Sequence, residues 1–191
     1  MLLVTSCILK LILSLVGLPG SGKSTVGRQL SRRLQLPFFD SDQVIEHQLG
    51  CSIREYFERE GEARFRDVEE LVIDELTQRS SGVLSTGGGA VLRPDNRLHL
   101  RGRSQVVYLN SSPDELFRRL RHDVNRPLLQ VADPLSRLRD LYMLRDPLYR
   151  ETAHFVMETG RPSVATLVNT ILVQLELAGL LSPARPGEML K

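Results

Sequence analysis

Apolar positions follow two rhythms along this chain. Short continuous runs occur at Leu11–Val16, Pro37–Asp40, Val83–Thr86, Gln105–Leu109 and His154–Glu158. Between them, apolar residues recur at helical spacing over Lys23–Gln35, Gln43–Leu49, Ser52–Glu60, Glu62–Arg79, Pro113–Arg121, Pro134–Thr152 and Ser163–Ala178. Buried strands alternating with amphipathic helices predict an α/β domain built on a parallel sheet. Start and stop signals sharpen the reading. Ser52-x-x-Glu55 and Ser112-Pro113-x-Glu115 have the form of capping boxes, the second with proline at the first helical position. Gly179 follows the last helix as a stop. No repeat or linker interrupts the pattern before 182–191, whose prolines predict a frayed tail.

The first apolar stretch, residues 2–16, has the look of an export signal or a membrane span. It is shorter than the ~18 residues a span needs, Lys10 interrupts it, and no small-residue cleavage site follows. Leu11–Val16 is better used as the strand that enters the glycine-rich segment after it. Residues 1–10 are then an apolar extension, 11–180 a single domain and 181–191 a tail.

Composition adds limits. At 191 residues the chain has the size of one domain and can build a core without a metal or disulfide staple. With 41% apolar and 25% charged residues it is neither disordered nor a multi-span membrane protein. A formal charge of +2 provides no basic field for nucleic acid. Only Lys10, Lys23 and Lys191 are lysines among 25 basic residues, and the arginines that remain suit bidentate grip on phosphate and carboxylate. Cys7 and Cys51 lack metal-type spacing and read as reduced thiols of a cytoplasmic protein.

Gly17-x-x-x-x-Gly22-Lys23-Ser24 is a complete phosphate-binding loop, with a strand before it and a helix after it. Glycines there allow positive φ and close approach of backbone N–H groups, which form an anion nest at the positive end of the helix. Lys23 supplies a point charge for the β- and γ-phosphates, and Ser24 a hydroxyl for Mg²⁺. The loop implies nucleotide binding without saying what becomes of the phosphate.

Candidate acceptor chemistry follows. Asp40 and Asp42 close an apolar strand at the edge where open α/β sheets bind ligands, and in an extended chain they face the same way. One suits a water on Mg²⁺, and the other a substrate hydroxyl or its proton. Arg66 and Glu69 are i, i+3 helix neighbours able to pair. Gly87, Gly88 and Gly89, after a third strand, strip the backbone of side chains so that a small polar ligand can lie against it. Arg126 and Arg145 stand in turn-like contexts, Asn-Arg-Pro-Leu-Leu and Arg-Asp-Pro-Leu-Tyr.

Taken together, GLPGSGKST, FFDSD, GE-x-x-FR-x-x-E, STGGGA, NRPLL and RDPLY resemble the shikimate kinase family, from about Leu13 to Gly179. The resemblance implies a three-layer P-loop kinase fold, with a central five-stranded parallel sheet between helices and a mobile lid near 121–131. It also implies ATP as donor, Mg²⁺, and phosphorylation of the shikimate 3-hydroxyl by a cytoplasmic monomer with no nucleic-acid or membrane partner. By motif, Gly20, Ser21, Gly22, Lys23, Ser24 and Thr25 hold the nucleotide, and Ser24 and Asp40 serve the metal. Asp42 takes the acceptor hydroxyls, Arg66 and Arg145 its carboxylate, and Gly87, Gly88 and Gly89 line its pocket. Arg126 is the lid arginine that reaches both substrates, and Lys23, Asp42 and Arg126 form the catalytic set. Arg119 falls near the adenine or phosphates, and Arg161 near the family's adenine loop.

Two other readings stay open on residues alone. A kinase of another polyhydroxy acid such as gluconate would need similar pocket chemistry. A guanine-nucleotide switch would want Asn-Lys-x-Asp, and the chain contains no Asn-Lys dipeptide.

Overall fold

The computed structural model describes residues 11–121, 133–160 and 162–181. The chain runs β1 (Ile12–Val16), α1 (Lys23–Leu34), β2 (Phe38–Asp40), α2 (Ser41–Leu49), α3 (Ile53–Thr77), β3 (Gly82–Ser85), α4 (Pro94–Arg103), β4 (Gln105–Asn110), α5 (Pro113–Leu120), α6 (Pro134–Thr152), β5 (Phe155–Glu158) and α7 (Val164–Leu177). A short 3-10 turn, Ala90–Leu92, precedes α4. The five strands form one parallel sheet in the order β2-β3-β1-β4-β5.

Alternation along the inner strands builds two cores. Leu13 and Leu15 of β1 join Val107 and Leu109 of β4 on one face, under α1 and α7. Val16, Leu84, Val106 and Tyr108 face the other way and are covered from α2 to α6. Burial on both faces explains why the inner strands β1, β3 and β4 read as apolar runs. The expected layers and strand count are thus present. β1 is the topological switch: the chain leaves it outward to β2, returns through β3, and crosses to β4 on its other side. Ligands of open α/β sheets bind beyond the strand ends at such a point.

Both expected capping boxes form, Ser52 with Glu55 and Ser112 with Glu115. The helices expected on either side of Gly61 run on as α3 with a break at that glycine, whose φ of 81° and ψ of 170° are not helical. Gly179 takes a φ of 71° just past α7, as a stop requires. The sequence reading missed α4. Its segment is polar and offers little periodicity, yet Leu100 and Asn96 are completely buried, and Asn96 Nδ2 donates to the Ala90 carbonyl at 2.9 Å. Packing between α3 and α6, not local propensity, makes this helix.

Among the described residues no helix is long and apolar enough to cross a membrane. Cys51 carries a free thiol. The apolar extension with Cys7, the lid segment beyond Arg121, and the tail beyond Leu181 lie outside the described residues.

Candidate active site

The phosphate loop leaves β1 and feeds α1. Gly20 and Gly22 sit at φ 85° and 93°, a region closed to most side chains, and Gly22 is the N-cap of α1. Lys23 is nearly buried, and its Nζ donates to the Gly17 and Leu18 carbonyl oxygens at 2.8 and 3.0 Å. Ser21 is buried, with its N–H on the Leu18 carbonyl. Ser24 Oγ donates to Asp40 Oδ2 at 2.8 Å and lies 3.2 Å from Ser85 Oγ. The ends of β1, β2 and β3 therefore meet around one cavity of about 370 Å³. Gly20, Gly22, Lys23, Ser24 and Thr25 line it together with Asp40, Asp42 and Gly88.

Asp40 and Asp42 share the cavity for a reason other than the one the sequence suggested. Helix α2 begins at Ser41, not Gln43, so the two carboxylates are not alternate positions of one extended strand. Asp40 is the N-cap, accepting the Asp42 N–H at 3.2 Å, and Asp42 stands in the first turn. Burial is the main cause that lifts the Asp42 carboxyl to a pKa of about 6, with Asp40 adding to it and Lys23 opposing.

Ser24 and Asp40 present hard oxygens side by side. Among the described residues no cluster of three His, Cys, Asp or Glu forms an all-protein cage. That donor set fits Mg²⁺, which keeps waters and takes phosphate oxygens alongside one or two carboxylates.

Beside the cavity, three elements distant in sequence converge on the glycine run. From α3, Arg66 donates to Glu69 Oε2 at 2.6 Å and to Glu62 Oε1 at 2.9 Å, with its guanidinium over the Phe65 ring. From α6, Arg145 donates to the Gly88 carbonyl at 3.0 Å. Gly87, Gly88 and Gly89 run between them. A β-carbon on Gly89 would collide with the Arg66 guanidinium, so this residue must be bare for the arginine to lie where it does. Glu69 is buried, and desolvation raises its pKa against the opposing pull of Arg66 and Arg145. The sequence had suggested an i, i+3 pair here. Burial beside the glycine run makes Glu69 a brace for Arg66, and Glu69 is a residue that the sequence reading had not included in the site.

Arg119 stands apart from this cavity. It donates to the Thr159 carbonyl, and its other terminal nitrogen lies 3.3 Å from Thr159 Oγ1 and 3.5 Å from Ser111 Oγ. This pins α5 to the ends of β4 and β5. Arg126 and Arg161 lie outside the described residues. Tyr149 was not singled out from sequence; its position four residues after Arg145 was the available signal.

Comparison with known proteins agrees with this geometry. The family model described as shikimate kinase matches residues 19–176. The chain is 62% identical over 178 residues to the shikimate kinase of Paracidovorax citrulli, covering 92% of this chain and 97% of that one. It superposes with a TM-score of 0.82 and 47% identity on the shikimate kinase from Acinetobacter baumannii in complex with shikimate, covering 88% and 93% of the two chains. A gluconokinase from Sinorhizobium meliloti, at 18% identity, 89% and 94% coverage and a TM-score of 0.54, shares the fold alone. The phosphate loop, the paired aspartates, the arginine-flanked glycine run and the parallel sheet that gathers them, with these similarities, place the chain in the shikimate kinase family.

Proposed function

We propose that the cavity at the ends of β1, β2 and β3 carries out ATP-dependent phosphorylation of the shikimate 3-hydroxyl, with the residues above in defined roles. The observation that carries the assignment is convergence: Arg66 from α3 and Arg145 from α6 meet on the same bare backbone, within the reach of one small ligand from Asp42 and the phosphate loop. Shikimate is a carboxylate bearing three hydroxyls. Two guanidinium groups suit the acid, a carboxylate suits the hydroxyls, and glycine backbone lets the ring lie close.

Phosphoryl transfer asks the protein for positioning and charge neutralisation more than for covalent chemistry. Lys23 and the N-terminus of α1 hold the β- and γ-phosphates. Gly20, Ser21, Gly22 and Thr25 complete that cradle. Ser24 and Asp40 are the residues that would hold Mg²⁺, which when bound offsets the phosphate charge. Asp42 accepts the hydrogen of the attacking hydroxyl and takes its proton as the new bond forms. Its raised pKa lets it hold that proton transiently near neutral pH. Arg119 and Arg161 are assigned to the nucleotide, and Arg126 to the γ-phosphate in the closed state, on sequence grounds.

Coupled measurement of ADP formation across shikimate, gluconate and nucleoside monophosphates tests the reading. The expected result is turnover with shikimate alone. Turnover with gluconate at equal or greater kcat/KM would overturn it.

A further inference from the structure

Tyr149 is completely buried, and the reaction as described gives its hydroxyl nothing to do. It lies one helical turn beyond Arg145 on α6, so the two side chains share a face. Both end on one atom: Tyr149 Oη donates to the Gly88 carbonyl oxygen at 2.5 Å, and Arg145 Nη1 donates to the same oxygen at 3.0 Å. Gly88 is held from its other side as well, since a β-carbon there would fall 2.6 Å from Pro19 Cδ of the phosphate loop. Its peptide is thus wedged between the nucleotide cradle and α6.

Tyr149 is itself fixed. Its ring stacks on Tyr108 of β4, with centroids 4.9 Å apart. The Tyr108 hydroxyl is shared between Asp146 Oδ1 at 2.9 Å and Asn110 Oδ1 at 3.0 Å. Asn110 Nδ2 donates on to Glu158 of β5 at 2.7 Å, and Arg150 Nε donates to the other Asp146 oxygen at 2.8 Å. This chain of contacts ties α6 to the sheet through Asp146 and Tyr149, just beyond Arg145. Burial raises the Tyr149 pKa far above neutrality, so the hydroxyl remains a donor throughout the working pH range.

We propose that Tyr149 is a positioning residue for the acceptor: its hydroxyl sets the Gly88 carbonyl, and that carbonyl anchors one nitrogen of Arg145 so that the rest of the guanidinium faces the acceptor's carboxylate. The proposal rests on the reading of Arg145 as a carboxylate ligand. Without the Tyr149 hydroxyl, the carbonyl can tilt and the arginine fork is no longer aimed. The group being positioned binds the acid and not the reacting hydroxyl. The loss therefore falls on acceptor binding and leaves the nucleotide untouched.

Tyr149→Phe removes the hydroxyl and keeps the stacked ring. Steady-state kinetics with both substrates, and thermal unfolding, are measured on the wild type, Tyr149→Phe, Arg145→Lys and the double variant. The expected result is a shikimate KM raised about three- to tenfold in Tyr149→Phe, the range one buried hydrogen bond is worth, with kcat and the ATP KM within about twofold. The same step should shrink in the Arg145→Lys background, because the two act as a unit. An unchanged shikimate KM in Tyr149→Phe, where Arg145→Lys raises it, would overturn the proposal and leave the carboxylate reading standing. Parallel rises in both KM values with a lowered Tm would overturn it in favour of simple packing. No effect of Arg145→Lys on the shikimate KM would remove the carboxylate reading, and this proposal with it.

Discussion

The Asp42 carboxylate rests against the backbone of Gly87: a β-carbon on that glycine would lie 2.6 Å from Asp42 Oδ1 and 2.9 Å from Glu69 Oε1. Two acids are thereby packed against one bare residue, and both are harder to ionise than usual for lack of water.

For Asp42 the consequence is a pH dependence with a definite sign. The ionised carboxylate is the form that accepts a proton, and its pKa is about 6. We expect kcat/KM for shikimate to fall about tenfold per pH unit below that value. Asp42→Asn should lose about 10²- to 10⁴-fold in kcat, lose that acid limb, and keep ATP affinity by titration calorimetry. Stability runs the other way. A carboxyl with its folded pKa raised above 3.8 favours the fold most when protonated, and that contribution is lost as pH rises through about 6. Asp42→Asn should therefore melt above the wild type at pH 8. A lower Tm there would contradict the burial argument.

Gly89 tests the close approach of Arg66. Its φ of −99° is open to alanine, so Gly89→Ala adds a methyl group without backbone strain. The methyl would meet the far end of a flexible side chain, and the arginine must move. We expect a shikimate KM about ten- to a hundredfold higher, an unchanged ATP KM and a normal unfolding transition. Unchanged kinetics for both substrates would show that Arg66 does not need its place against the glycine.

Lys23→Ala should reduce kcat by about 10²- to 10³-fold or more, while circular dichroism and Tm stay close to wild type. The lysine supplies charge where phosphate must be offset, and its Nζ contacts are to loop carbonyls. Full turnover would remove the phosphate loop from the reaction.

His154 gives a stability prediction independent of catalysis. Its Nδ1 accepts the Val106 N–H at 3.0 Å, and its backbone N–H donates to the Val106 carbonyl at 2.8 Å. Burial, with Arg101 nearby, lowers its pKa below 6.5. The neutral ring is thus the folded form's choice, and its contribution is present above pH 6.5 and lost as pH falls through the lowered value. His154→Ala should be less stable than wild type at pH 8 by urea denaturation, with the gap closing toward pH 5. A gap that widens on acidification would reverse the sign.

What the sequence determined by itself was local. The phosphate loop is a contiguous motif whose glycines, lysine and serine carry their physics with them, and the five strands stood out as short apolar runs, the inner three because both faces of the sheet are covered there. The capping boxes and the stop at Gly179 were readable for the same reason. Tertiary structure decided what depends on partners far along the chain. Helix α4 exists because Leu100 and Asn96 find burial, which its polar sequence does not announce. Asp42 faces the cavity from a helix rather than a strand, because Asp40 caps α2 two residues earlier than periodicity suggested. Burial turned the Arg66–Glu69 pair from an ordinary surface contact into a braced guanidinium packed against the glycine run. The junction of Tyr149, Arg145 and Gly88 joins residues some sixty positions apart. Propensity and periodicity act over a few residues, whereas burial and convergence are set by which surfaces the folded sheet brings together.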